Sequence, residues 1–313
     1  CSIQEENFFV DRILEFLTRR GKNLTPRPSS CQTGETCYTE TKYASIGAVP
    51  EKRSLYPMKQ LFSSCVIAFS TYSRIPMPQV EWNEKNMRHT LAFFPLVGAA
   101  VGLIFWLVDV IGCQLGFGMV LRSALLTAVP VVVTGGIHLD GYCDTVDALA
   151  SHASREKKLE ILKDSSAGAF AVIWCAVWFL TYFGFMTEKG GDITITVAAG
   201  FLLSRILSAL AIEQLPSARA GMGATLKPGS AFPWWLTAPH AGVYLAVVLL
   251  MGAPVPGLVA LVAAGVFFFI YKQMAMKVFG GFTGDLAGWF LTVCELVILA
   301  AVILTEKVVT LWF

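Results

Sequence analysis

Three aspartates, Asp140, Asp144 and Asp147, fall within eight residues of the stretch GGIHLDGYCDTVDALASH, directly after the apolar run SALLTAVPVVVT. On a helix turning about 100° per residue they stand at about 0°, 40° and 340°, with rises of about 6 and 4.5 Å, so all three share one face. Carboxylates that close repel, and unless a cation is shared one or more is driven toward protonation. The economical occupant is a hard divalent ion held by oxygens, Mg2+ with Mn2+ as the alternative. On a continuous helix His138 points about 160° away and is not expected as a ligand beside them. The plainer alternative is that the acids cap and charge the start of the amphipathic helix SREKKLEILKD. Gly135, Gly136 and Gly141 permit close backbone approach or an irregular turn.

Two further stretches have the character of phosphate loops. GGFTGD, at 280–285, sets Thr283 beside Asp285 in a glycine-rich turn, and SARAGMGA, at 217–224, is similarly rich in small residues. Such backbone cradles phosphate oxygens or a hydrated cation. Glycines at loop-to-helix junctions also commonly do no more than cap or pack.

The elements that must position these groups are membrane helices. The 313 residues are 55% hydrophobic and only 15% charged, with a mean hydropathy of +0.61, far from a soluble composition. Runs able to cross about 30 Å of hydrocarbon as helices fall at 91–111, 119–136, 168–187, 193–212, 233–252, 254–273 and 286–305. The fold expected is all-α: a polytopic helix bundle of about seven crossings, in one membrane domain. The run LFSSCVIAF, 61–69, is too short to span and leads into STYSRIPMP, whose prolines break a helix, so it reads as an interfacial or re-entrant segment.

The loops alternate in charge. Those at 74–90, 137–167, 213–232 and 272–285 carry eleven Lys and Arg, whereas the opposite set has only Lys189 and Lys307. The positive-inside rule makes the first set cytoplasmic; Arg122, near an outer helix end, is a mild exception. The clustered acids all fall on that side.

Residues 1–57 differ from the rest, reading as a short amphipathic helix and a polar tether ahead of a catalytic domain at 58–313. A first residue of Cys reads as a truncated or engineered start, since the expected cytoplasmic placement disfavours a processed lipoprotein. No apolar core marks a cleavable signal peptide. The eight cysteines are scattered without a C-x-x-C pair, which predicts free thiols and no structural zinc.

These motifs together resemble the cobalamin synthase family, the adenosylcobinamide-GDP ribazoletransferases. The resemblance rests on SRIPMP (73–78), FFPLVGAAVG (93–102), TGGIHLDGYCDTVDAL (134–149), EILKDSSAGAF (160–170), LSR (203–205), ARAGMG (218–223) and GGFTGDLAG (280–288), in the family's order over about residues 58–305. Cys143 and Ala148 replace the family's usual small residues, and Ser166 stands where a basic residue is common.

The resemblance implies a Mg2+-dependent phosphoryl-group transfer, in which α-ribazole or its 5′-phosphate attacks adenosylcobinamide-GDP and GMP leaves. It implies Asp140, Asp144 and Asp147 as metal ligands and Asp164 and Asp285 as further catalytic acids, for a second cation or as general base. Arg205 and Arg219 become candidate phosphate clamps, although Arg205, lying within a span, could instead pair with Glu295. His138, Lys163, Gly221, Gly223, Gly281 and Thr283 complete the expected substrate contacts. The implied setting is the bacterial cytoplasmic (inner) membrane with the site facing the cytoplasm; no nucleic-acid partner is expected, and a homo-oligomer is left open. A CDP-alcohol phosphotransferase uses a related D-G motif, but DALASHASREKK lacks its acidic tail. An ion-coupled transporter would explain the acids but not the phosphate-like loops.

Overall fold

The computed structural model describes residues 56–164, 166–190, 193–219 and 234–312, and the predicted extension lies almost wholly outside them. All regular structure among them is helical: α1 (Tyr56–Tyr72), α2 (Glu84–Met87), α3 (Thr90–Gln114), α4 (Met119–Thr134), α5 (Ile137–Ala150), α6 (Arg155–Ile161), α7 (Ala169–Thr187), α8 (Thr194–Gln214), α9 (Trp234–Leu250), α10 (Pro254–Met274) and α11 (Gly284–Trp312). A π-helical turn, Ala275–Phe279, extends α10.

Seven of these, α3, α4 and α7 to α11, coincide with the seven expected crossings and run alternately between two ends of the bundle. At one end Arg74 N donates to Val133 O (2.8 Å) and Phe282 N to Pro216 O (2.9 Å), while Lys272 reaches Gln214 at the close of α8. At the opposite end Lys189 pairs with Asp109, Lys307 with Glu188, and Ala253 N donates to Thr196 Oγ1 at 2.8 Å. The expected count nevertheless needs correction. Among the described residues five helices are long and apolar enough to cross a membrane, or six if α4 and α5 count as one bent span. The α4 stretch has only 16 residues, and α9 has 17, both short of the ~20 that bare hydrocarbon requires.

What ends α4 is a pair of left-handed glycines. Gly135 and Gly136 have φ of +66° and +82°, a region that costs residues with a Cβ, and α5 leaves at 92° to α4. The segment at 61–69 also differs from expectation, because it lies within a 17-residue helix. Val66, Ile67 and Ala68 are buried, and the Tyr72 ring meets Phe94 of α3 at 4.3 Å between centroids.

Helix α8 is the axis of the bundle: its most apolar 18-residue window is 83% buried. Small residues let α3 approach it, for a Cβ at Gly98 would fall 2.2 Å from Phe201 O and one at Gly102 2.3 Å from Ala198 O. Such contacts are how apolar helices associate where no water drives them together. Outward faces carry exposed Val132, Leu180, Val262 and Phe269, as a lipid-facing surface requires. The five described cysteines are free thiols.

Candidate functional site

The 92° turn sends α5 across the first turns of α11, out of the direction of the spanning helices. Close contact there depends on Gly141, where a Cβ would fall 2.7 Å from Asp285 O and 2.9 Å from its Cα. Thr292 Oγ1 then donates to His138 O at 3.1 Å. Asp140 and Asp144 are thereby set beside Asp285, the second residue of α11.

A third segment joins them. Residues 216–218, just after α8, pair with Phe282 in an isolated parallel bridge: Phe282 N donates to Pro216 O and Ala218 N to Phe282 O, both at 2.9 Å. Gly281 belongs to this joint, with a buried backbone and no room for a Cβ against Pro216 O. The pairing delivers Arg219, whose Nη2 donates to Asp285 Oδ2 at 2.7 Å. Thr283 caps α11 by accepting Leu286 N at 3.2 Å, and its hydroxyl also lies 3.3 Å from Asp285 Oδ2. Arg219 Nη1 is buried with no partner among the described residues.

The electrostatics follow from this convergence. Asp144 is half-buried, and burial first, then the charges of Asp140, Asp285 and Asp147, push its carboxyl up to about 7, with Arg219 opposing. Like charges in a partly desolvated place disfavour ionisation. Asp140 is exposed and borders an open cleft of about 380 Å3, with Gly135, Gly136, Ile137, Leu139 and Cys143 forming the rest of its lining. The Arg74 side chain lies over Gly135, where a Cβ would stand 2.3 Å from its Nε.

Other expected site residues are not in this group. Asp147 shares the face of Asp140 and Asp144, but both its oxygens accept backbone amides of α7 and its preceding loop. Asp164 is exposed and accepts the Ser166 amide at 3.0 Å; the hydrogen bonds from Ser166 hold its carboxyl below the usual range. Lys163 is exposed beside it. His138 is buried between aromatic rings, stacked on Tyr72 and edge-on to Phe94, with no partner for Nε2 among the described residues. Arg205 is fully buried. It pairs with Glu295 and donates to Ser204 Oγ at 3.0 Å, so it is held inside the bundle by the partner considered for it. Gly221 and Gly223 lie outside the described residues.

Sequence reasoning missed the bond between Asp147 and the start of α7, although DTVDAL and KDSSAG were both singled out. It also missed Asp109, a lone acid in a span whose partners lie 13 and 80 residues away.

A multi-pass helix bundle that gathers carboxylates and an arginine at one end, beside an open cleft, has the build of a membrane enzyme. Residues 64–303 match the family model described as cobalamin-5-phosphate synthase. Adenosylcobinamide-GDP ribazoletransferase of Lachnoclostridium phytofermentans is 43% identical over 251 residues, covering 79% of this chain and 95% of that protein. The proteins of the same name from Clostridium perfringens strain SM101 and Listeria monocytogenes are 29% and 32% identical, over 76% and 71% of this chain and 96% and 90% of their own. No solved structure matches. The chain belongs to the cobalamin-5-phosphate synthase family, and it is a transferase, as its motifs implied.

Proposed function

We propose that this protein joins adenosylcobinamide-GDP to α-ribazole, or to its 5′-phosphate, and releases GMP. The observation that carries the site-level reading is the meeting of Asp140, Asp144, Asp285 and Arg219, drawn from three separate segments, at one end of the bundle. In the reaction the ribazole hydroxyl oxygen bonds to the phosphorus nearest cobinamide, the bond from that phosphorus to the GMP oxygen breaks, and the hydroxyl proton passes to a base.

The residues present suit a divalent cation in charge and donor type: three carboxylates supply hard oxygens, and one guanidinium compensates them. As they stand, no three acids among the described residues close on a single ligand position. Asp140 and Asp144 are the residues that would hold Mg2+ or Mn2+. Held there, the ion would supply charge neutralisation for the transferring phosphate.

The chain's own groups account for the rest. Arg219 is held against Asp285 through one amino group, which leaves Nη1 to meet a phosphate oxygen of the diphosphate. Asp285, steadied by Arg219 and Thr283 through Oδ2, is the carboxylate that receives the hydroxyl proton. The cleft beside Asp140 admits substrate from the open end. The excess of Lys and Arg on the loops of this end supports a site that faces the cytoplasm of a bacterial cell, with the bundle in the inner membrane. In this reading the catalytic domain is residues 58–313, which contain the family match at 64–303, and the N-terminal extension takes no part in the reaction.

Purified protein in nanodiscs, given adenosylcobinamide-GDP, α-ribazole 5′-phosphate and Mg2+, should release one GMP for each corrinoid consumed. Absence of GMP from well-folded protein would overturn the reading, and so would equal release without ribazole.

A further inference from the structure

We infer that Asp147 is a positioning residue rather than a metal ligand: it caps α7 from a neighbouring helix and so fixes the direction in which Asp140 and Asp144 face. Its Oδ2 accepts Gly168 N at 2.7 Å and its Oδ1 accepts Ala171 N at 2.9 Å. Both oxygens are thus turned to the start of α7, whose first amides have no partner within their own helix. A helix normally meets that need with Ser, Thr, Asp or Asn at its cap. Here the cap position is Gly168, which has no side chain to offer, and the first turn of α7 has no acid.

The glycine is required by the same contact. A Cβ at Gly168 would lie 2.8 Å from both Asp147 oxygens, so a side chain there would push the carboxylate off the amides. DTVDAL and KDSSAG, whose bonded residues Asp147 and Gly168 are 21 apart, are two halves of one joint.

The joint bears on the acids because Asp147 lies three residues after Asp144 and seven after Asp140, on the same face of α5. Tyr142 Oη adds a second tie, donating to Trp174 O at 3.2 Å. With one side of α5 fastened to α7 and the other resting on α11 at Gly141, the helix is not free to rotate about its axis. The inference takes Asp140 and Asp144 as the cation-holding acids of the reading above, but the bond itself is tested without substrate or cation.

Asp147→Asn keeps one accepting oxygen, and Gly168→Ala leaves the carboxylate but crowds it. By hydrogen–deuterium exchange of metal-free protein in nanodiscs, both variants should exchange amides at 168–172 roughly fivefold faster than wild type. The double variant should do no worse than the weaker single one, since both break one contact. Binding of Mn2+ alone, followed by electron paramagnetic resonance, should weaken by about tenfold in Asp147→Asn, whose Asp140 and Asp144 are no longer held in direction, and should fall by at least about a hundredfold in Asp144→Asn. Unchanged exchange in both single variants would overturn the cap. Loss of Mn2+ binding in Asp147→Asn equal to that in Asp144→Asn would return Asp147 to the ligands. Failure of wild type to bind Mn2+ would instead count against the cation reading and leave the cap to the exchange data.

Discussion

The two ends of the bundle treat aspartate in opposite ways. At the far end Asp109 is buried and surrounded by donors: Lys189 Nζ at 2.8 Å, Thr194 Oγ1 at 2.6 Å and Arg122 Nε at 3.2 Å. Two cations and a hydroxyl answer one carboxylate, and they tie α3, the start of α4, and both sides of the connection from α7 to α8. At the site end Asp140, Asp144 and Asp285, with the charge of Asp147 added from beside them, share one paired arginine. A buried charge with its partners in place is a fastening, whereas a cluster with too few partners is strained until something cationic arrives. The difference in compensation separates the fastening acid from the acids proposed for the reaction more sharply than burial does.

The largest effect should come from Asp144→Asn. A bound cation provides several kcal/mol of charge stabilisation during transfer, so its loss should lower turnover by roughly three orders of magnitude. The same change removes one member of a like-charged group, so the melting temperature of metal-free protein should hold or rise. Activity within tenfold of wild type at saturating Mg2+, or a fall in melting temperature with activity retained, would show that the site end is fastened in the same manner as the far end.

Much of the site was legible because local rules govern it. The spacing of Asp140 and Asp144 on one face is helical geometry, and the freedom of Gly135, Gly136 and Gly141 marks where a close approach or an irregular turn is permitted. The approach of Asp285 and Arg219 rested on loop alternation and family motifs. What stayed hidden required knowing which helices touch. Nothing in the chain near Asp147 says that its oxygens are taken by amides 21 and 24 residues on, and nothing near Asp109 announces Lys189. The crossing count failed for a related reason. Hydropathy shows that 119–136 is apolar but not that the helix stops at Thr134 and turns, nor that α9 can be short among longer neighbours.

Asp109→Asn should give the reverse pattern, with a smaller effect on the reaction and a larger one on the fold. Removing one member of a buried ion pair leaves Lys189 and Arg122 partly unanswered, a loss of about 3 kcal/mol. The melting temperature should fall, while turnover measured well below it should stay within about twofold of wild type, because the partners of Asp109, Lys189, Thr194 and Arg122, lie at the end away from the acids. A hundredfold loss of turnover with an unchanged melting temperature would mean that the ends are coupled and that far-end compensation serves the reaction.

The smallest effect is expected at Asp164, which tests whether location at the site end is enough to give an acid a role. Asp164 lies between α6 and α7, at the same end as the cluster, and is exposed. Its Oδ1 accepts the Ser166 amide at 3.0 Å, the bond of a local turn that an asparagine oxygen can make as well. It is not among the charges that raise the carboxyl of Asp144. Asp164→Asn should therefore leave both the turn and the cluster as they are, with turnover changed by less than about twofold, as for an ordinary surface substitution. Steady-state GMP release at saturating substrate gives the measurement, with Asp144→Asn alongside as the positive control. If Asp164→Asn lost more than tenfold while melting normally, this exposed acid would be meeting substrate directly. The functional group at this end would then extend past the compensated-versus-uncompensated division to the loop before α7.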